Sequence, residues 1–132
     1  MREVIIILIV LIFIISLGVI EQKYLVNTSE ELVLQLNELR DELDNLIKNN
    51  IKENSEIVKF SENIQNKWDN LDKTWSIIIT HSELDQIKLS ILEVNSCIKL
   101  KEFNKAKKEL EKTTFLVEHI KEKQALKIRN LF

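Results

Sequence analysis

The chain has 132 residues, one Gly, no Pro and one Cys, and its 19 basic and 21 acidic side chains leave a formal net charge of −2. A single Cys excludes an intramolecular disulfide and a cysteine zinc knuckle, and the near absence of Gly and Pro argues against tight hairpins and for an all-helical fold. Balanced charge, without aromatics interleaved among the Lys residues, argues against nucleic acid as a partner.

Residues 4–20, VIIILIVLIFIISLGVI, carry no charge, and fifteen of the seventeen are Ile, Leu, Val or Phe. On a membrane-insertion scale such a run favours insertion by roughly 5–9 kcal/mol. It lacks the polar stripe of a soluble core helix. As a helix it covers about 25 Å, short of the ~30 Å hydrocarbon core. Tyr24, Leu25 and Val26 lie just beyond and extend it, and Arg2, Lys23 and Tyr24 are the expected membrane-interface residues. The rival is a cleaved signal peptide, since Ser16-Leu17-Gly18 places small residues where processing needs them. The basic leader is thin, with Arg2 offset by Glu3, and the run outlasts most signal cores, so residues 1–26 read as a retained single-pass anchor. Arg2 before the run and Glu21 just after it orient the N-terminus to the cytoplasm and the rest outside.

Residues 27–123 read as an antiparallel bundle of about four helices. Thr28 and Glu31 in TSEE form a capping box that marks a helix start. Leu32, Leu36, Leu39, Leu43 and Leu46 then repeat at spacings of 4, 3, 4 and 3, one apolar seam. Asn49-Asn50 is the expected turn, because Asn tolerates the left-handed conformation. Asn54-Ser55 caps a second helix with a face of Ile57, Phe60, Ile64, Trp68, Leu71, Trp75 and Ile78. Ser82 and Asp85 cap a third, with Leu84, Ile87, Ile91, Val94 and Ile98. After a link near Leu100-Lys101, the fourth holds Phe103, Ala106, Leu110, Thr113, Val117 and Ile120. Each stripe needs another to pack on, and short links favour antiparallel neighbours. The competitor, a long parallel coiled coil, needs heptads that continue through 49–55 and 80–82, and they do not.

Residues 21–98 hold eight basic and fifteen acidic side chains, a balance of −7, whereas residues 99–132 hold ten and five, a balance of +5. In a compact bundle the two parts attract each other; a basic patch for anionic lipid is the alternative. Helix order brings the turn at Thr80-His81-Ser82 and the end of the fourth helix to the bilayer side. Residues 124–132 form an amphipathic basic tail, and Lys121, Lys123, Lys127 and Arg129 are the lipid-surface candidates, with Leu126, Ile128, Leu131 and Phe132 between them.

Trp68 and Trp75, one heptad apart, share a face. Core packing explains them, and a groove for a partner's helix is the functional alternative. With His81, Glu83 and Asp85 they are the partner-binding candidates. His81, His119, Glu83, Asp85 and Glu118 converge at one end, but without a His-x-x-x-His pair no metal site is assigned; a pH-sensitive His pair is the other option. Cys97 reads as a packed core residue. No Gly-rich phosphate loop, nucleophile elbow or Cys/His nucleophile arrangement is present, so neither catalysis, cofactor nor small-molecule substrate is expected.

The span, then LDKTWSIIITHSELDQI, KEFNKAKKELEKTTFLVEHI and the closing ALKIRNLF, resemble the family catalogued as domain of unknown function 4363 over nearly the whole chain. Trp75 followed by His81, Glu83, Leu84 and Asp85 is the most specific part. The resemblance implies a small membrane-anchored helical protein of spore-forming bacteria, linked to sporulation and acting beside another membrane protein. Separately, KEFNKAKKELEK, with Phe103, Ala106 and Leu110, is similar to the second helix of a tetratricopeptide repeat, although a solenoid needs at least three repeats.

The expectation is a single-pass cell-membrane protein, all-α, that binds lipid through its anchor and scaffolds another membrane or envelope protein. The alternatives are a lipid-surface or pH-sensing module and a phage-type envelope-spanning coiled coil of the spanin kind.

Overall fold

The computed structural model describes residues 1–131; Phe132 and the side chains of Ile128 and Leu131, all assigned to the tail's apolar part, lie outside the described residues. The chain forms four helices, α1 (Arg2–Lys48), α2 (Ser55–Trp75), α3 (His81–Lys99) and α4 (Phe103–Leu131), with no strand among the described residues. The all-helical class is as expected.

α1 is a single helix of 47 residues, about 70 Å at 1.5 Å per residue. It contains an 18-residue window that is long and apolar enough to cross a membrane, and none of that window is buried. Its other half is one wall of the bundle, with Leu25, Ser29, Leu32, Leu36, Leu39 and Leu43 all buried. The seam therefore starts seven residues earlier than the Leu32 that begins it in the sequence reading, and the expected helix start at Thr28 does not occur. Thr28 caps nothing because the turn before it is already helical; its hydroxyl donates back to the Tyr24 carbonyl over 2.8 Å. Leu25 is fully buried and packs within the bundle rather than extending the apolar span.

The helices form a ring: α1 packs on α2, α2 on α3, α3 on α4 and α4 on α1, with no close backbone approach across the diagonals among the described residues. Three short connections make this antiparallel course. Two are Schellman turns built without glycine. At the end of α1, Asn50 N–H donates to Ile47 O and Ile51 N–H to Leu46 O. At the end of α3, Lys101 N–H donates to Ile98 O and Glu102 N–H to Cys97 O. The left-handed residues are Asn50, φ 51°, and Lys101, φ 61°. The third connection, from α2 to α3, contains no positive φ. α2 stops at Trp75, leaving Ile78 outside the helical face expected for it. α3 is capped by Thr80, whose side chain accepts from Glu83 N–H, and not by Ser82. Asn54 does precede α2, but its side-chain amide donates to Ile98 O and Lys99 O, which ties the start of α2 to the end of α3.

Polar pairs inside the ring fix the register. Asn95 donates to Gln65 between α3 and α2, and Ser90 meets Thr113 between α3 and α4. Around the outside, the basic end of the chain meets acidic partners: Lys107 with Asp44, Lys121 with Glu30, Lys123 with Glu83 and Lys99 with Glu62. Exposed pairs of this kind contribute at most about 1 kcal/mol each, so they align helices that the apolar seams hold together.

Candidate functional site at the proximal end of the bundle

The end of the bundle nearest the apolar segment gathers most of the residues singled out from sequence. α2 ends there at Trp75, whose side chain is fixed from two sides. Its ring meets Trp68 edge to face, with centroids 5.4 Å apart and planes at 88°, a geometry that adds about 0.5–1.5 kcal/mol beyond area burial. Its indole N–H donates to Thr28 Oγ1 of α1 over 2.9 Å. Both tryptophans are fully buried. This is the core packing that the sequence favours, and it sets aside the groove alternative, since neither ring is available to a partner helix. A one-heptad spacing places two rings on one face but does not say whether that face looks inward.

Beyond Trp75 the chain runs Ser76-Ile77-Ile78-Ile79-Thr80. Ile79 enters the core, Ile78 is half-buried and Ile77 is 75% exposed. Thr74, Ile77 and Ile78 line an open, mainly apolar groove of about 270 Å³ with Ile20, Glu21 and Tyr24. The α2–α3 connection thus stands level with the first turn beyond the apolar segment. Tyr24 is 39% exposed in this groove and Lys23 is exposed beside it. Arg2 opens α1 at the opposite end of the apolar segment.

At the start of α3, Glu83 is the organising side chain. Its carboxylate accepts from Lys123 Nζ at 3.1 Å and from the Thr80 hydroxyl at 3.1 Å. Partial burial pushes its pKa up, but these two donors, with the Lys123 charge and His119 nearby, outweigh burial and hold it below the usual carboxylate value. Glu83 and His119 line a second groove with Gln86, Leu116 and Ile120, about 230 Å³ in volume. His119 stacks on Phe115, one turn earlier, with centroids 6.1 Å apart. The structure therefore unites Glu83, His119 and Lys123, while His81 and Asp85 point into solvent. Among the described residues no group of three or more His, Cys, Asp or Glu side chains is placed to hold a metal ion.

Of the four basic candidates, Lys121 and Lys123 are engaged with Glu30 and Glu83. Lys127 and Arg129 are exposed on the last turns of α4, which continues without a break to Leu131. Three residues of the bundle escaped the sequence reading. Ile77 sits in a run of three isoleucines, and only the fold decides which of them faces out. Phe115 is 66% exposed on the outer face of α4. Gln124 is 1% exposed and follows the heptad positions Val117 and Ile120, a signal the spacing carried but the polar residue type hid.

A family model described as Domain of unknown function (DUF4363) matches residues 19–131. No curated protein and no solved structure matches the chain.

Proposed function

The chain belongs to the DUF4363 family, and on that premise we propose that it is a membrane-anchored, non-enzymatic helical scaffold that binds another membrane or envelope protein. The observation that carries this reading is α1 itself. One unbroken helix has a bare apolar half and a half packed into the bundle. A helix without a hinge transmits orientation, so the bundle is held at a set position and rotation relative to the bilayer. The N-terminus lies in the cytoplasm and the bundle outside, an arrangement supported by Arg2 before the apolar segment and Glu21 first after it. A role in sporulation belongs to the same proposal.

The surface offered to the partner is the α3–α4 face. Phe115 stands exposed there on His119, near the groove of Glu83, Gln86 and Leu116. An exposed aromatic beside a half-apolar groove is the usual anchor of a protein contact. A photo-crosslinking residue at Phe115, compared with one at the exposed Lys59 on α2, tests the reading in native membranes. The expected result is a discrete protein adduct from position 115 and none from 59. Equal or absent adducts at both positions reject the scaffold surface, and extraction of the full chain by alkaline wash rejects the anchor.

A further inference from the structure

We propose that the bundle is not held clear of the membrane on a stalk but is seated on it, with Ile77 inserted among the lipids and the end of α4 on anionic headgroups. The proposal rests on the anchor reading above and adds a second, independent point of lipid contact.

Three observations place this end at the bilayer surface. First, the apolar segment ends at Ile20, which is 63% exposed, and Ile77 and Ile78 share a groove with Ile20 and Tyr24. The exposed apolar surface of the connection is therefore continuous with that of the anchor. The hydrogen bond from Trp75 to Thr28 holds the connection at this level. Second, the register of α4 on α1 is constant. Lys107 pairs with Asp44 and Lys121 with Glu30, fourteen residues further on and fourteen residues back. Carried ten residues more, the end of α4 at residue 131 stands level with residue 20. Lys127 and Arg129, both exposed, and Leu126, 49% exposed, then lie level with residues 22 to 25, just beyond the apolar segment. Third, the apolar run covers about 25 Å as a helix against a hydrocarbon core of ~30 Å. A short span draws the surface toward the flanking residues, which brings the bundle down onto it.

The rest of the surface gives the comparison. Leu100, in the α3–α4 turn at the distal end, is 68% exposed, close to the value for Ile77. Exposure alone does not distinguish the two; position does. An isoleucine at a bilayer surface buries its side chain in lipid, and Lys or Arg beside it gains from anionic headgroups. Lys121 and Lys123, already paired with Glu30 and Glu83, are not needed for this contact.

The substitutions I77C, L100C and I12C, each labelled with a polarity-sensitive fluorophore, test the proposal in the full chain reconstituted into phosphatidylcholine vesicles with and without phosphatidylglycerol. The wild-type chain serves as labelling blank, since Cys97 is 2% exposed. The expected result is blue-shifted emission, quenched by lipid-borne quenchers, at 12 and 77 but not at 100. The signal at 77 should strengthen with phosphatidylglycerol, and K127E/R129E should abolish that gain. A lipid signal at 12 with a water signal at 77 overturns the seat and leaves the anchor standing. A water signal at both removes the anchor and the seat with it. Equal signals at 77 in neutral and anionic vesicles overturn the part given to Lys127 and Arg129. Because these vesicles contain no second protein, a probe at 77 that is shielded in native membranes yet wet in vesicles assigns the patch to a protein and rejects lipid.

Discussion

Trp75 donates its indole N–H to Thr28 Oγ1 across 2.9 Å, and the Thr28 hydroxyl in turn donates a hydrogen bond to the Tyr24 carbonyl 2.8 Å away. This chain of two hydrogen bonds joins the last residue of α2 to the turn where α1 enters the bundle. T28V keeps the shape but leaves a buried indole N–H without its acceptor, a loss of about 1–3 kcal/mol. T28S restores the acceptor and should recover most of it. Denaturant unfolding of the detergent-solubilised chain, followed by Trp fluorescence, measures the difference. Equal midpoints for the two variants would sink the assignment.

Glu83 makes part of the bundle's stability depend on pH. Its carboxyl starts from a reference value of 4.5 and is held lower in the folded chain by Lys123 and Thr80, against the upward push of burial. A depressed folded pKa means that the stabilisation is complete above about pH 4.5 and is lost as pH falls through the folded value. The E83Q variant should be less stable than wild type at pH 7, with the gap narrowing as pH falls below about 4.5. Thermal melts across pH 3–7 follow this convergence, and a gap independent of pH would contradict it.

Cys97 is buried at 2% exposure. Burial pushes its thiol pKa up, and the carboxylate of Glu93, 3.8 Å from the sulfur, pushes the same way. Since the thiolate is the reactive form, labelling by a thiol reagent at pH 8 should be slow in the folded chain. The rate should rise with denaturant in step with unfolding. Prompt labelling without denaturant would show that this part of α3 opens locally.

Lys101 holds the left-handed position of a Schellman turn at φ 61°. That conformation costs an L residue about 1–2 kcal/mol, whereas Gly brings an entropy cost of roughly 0.5–1 kcal/mol. K101G should therefore raise stability by up to about 1 kcal/mol, and K101V should lower it. N50G should gain less, because Asn tolerates this region. Comparison of the three unfolding midpoints ranks them, and a destabilised K101G would contradict the turn geometry.

Gln124 is 1% exposed, and its side-chain carbonyl has no hydrogen-bond partner among the described residues. It occupies a seam position that apolar residues hold elsewhere on α4. Q124L removes a desolvated polar atom at similar volume and should stabilise by about 1–3 kcal/mol. A loss of stability in the same unfolding measurement would mean that the amide is satisfied in solution.

The apolar seams were readable because a helix repeats its faces at a spacing that primary order preserves. Leu84, Ile87, Ile91, Val94 and Ile98 are all buried, as are Phe103, Ala106, Leu110, Thr113, Val117 and Ile120. Turn positions at Asn50 and Lys101 were readable for a related reason, as the apolar rhythm stops there. Helix starts were less legible. TSEE carries the residues of a cap, but a cap forms only where the preceding backbone leaves the helix, and around Thr28 it does not.

Sequence alone determined that this protein is helical, that it carries one long uncharged apolar segment, and where three chain reversals fall, because periodicity and composition are local properties. Only the tertiary structure decided that the segment and the first wall of the bundle are one helix. It alone removed the groove alternative for the two tryptophans, and chose Ile77 rather than Ile79 to face out. Those outcomes depend on which side of each helix meets a neighbour distant in sequence, and no local pattern contains that choice.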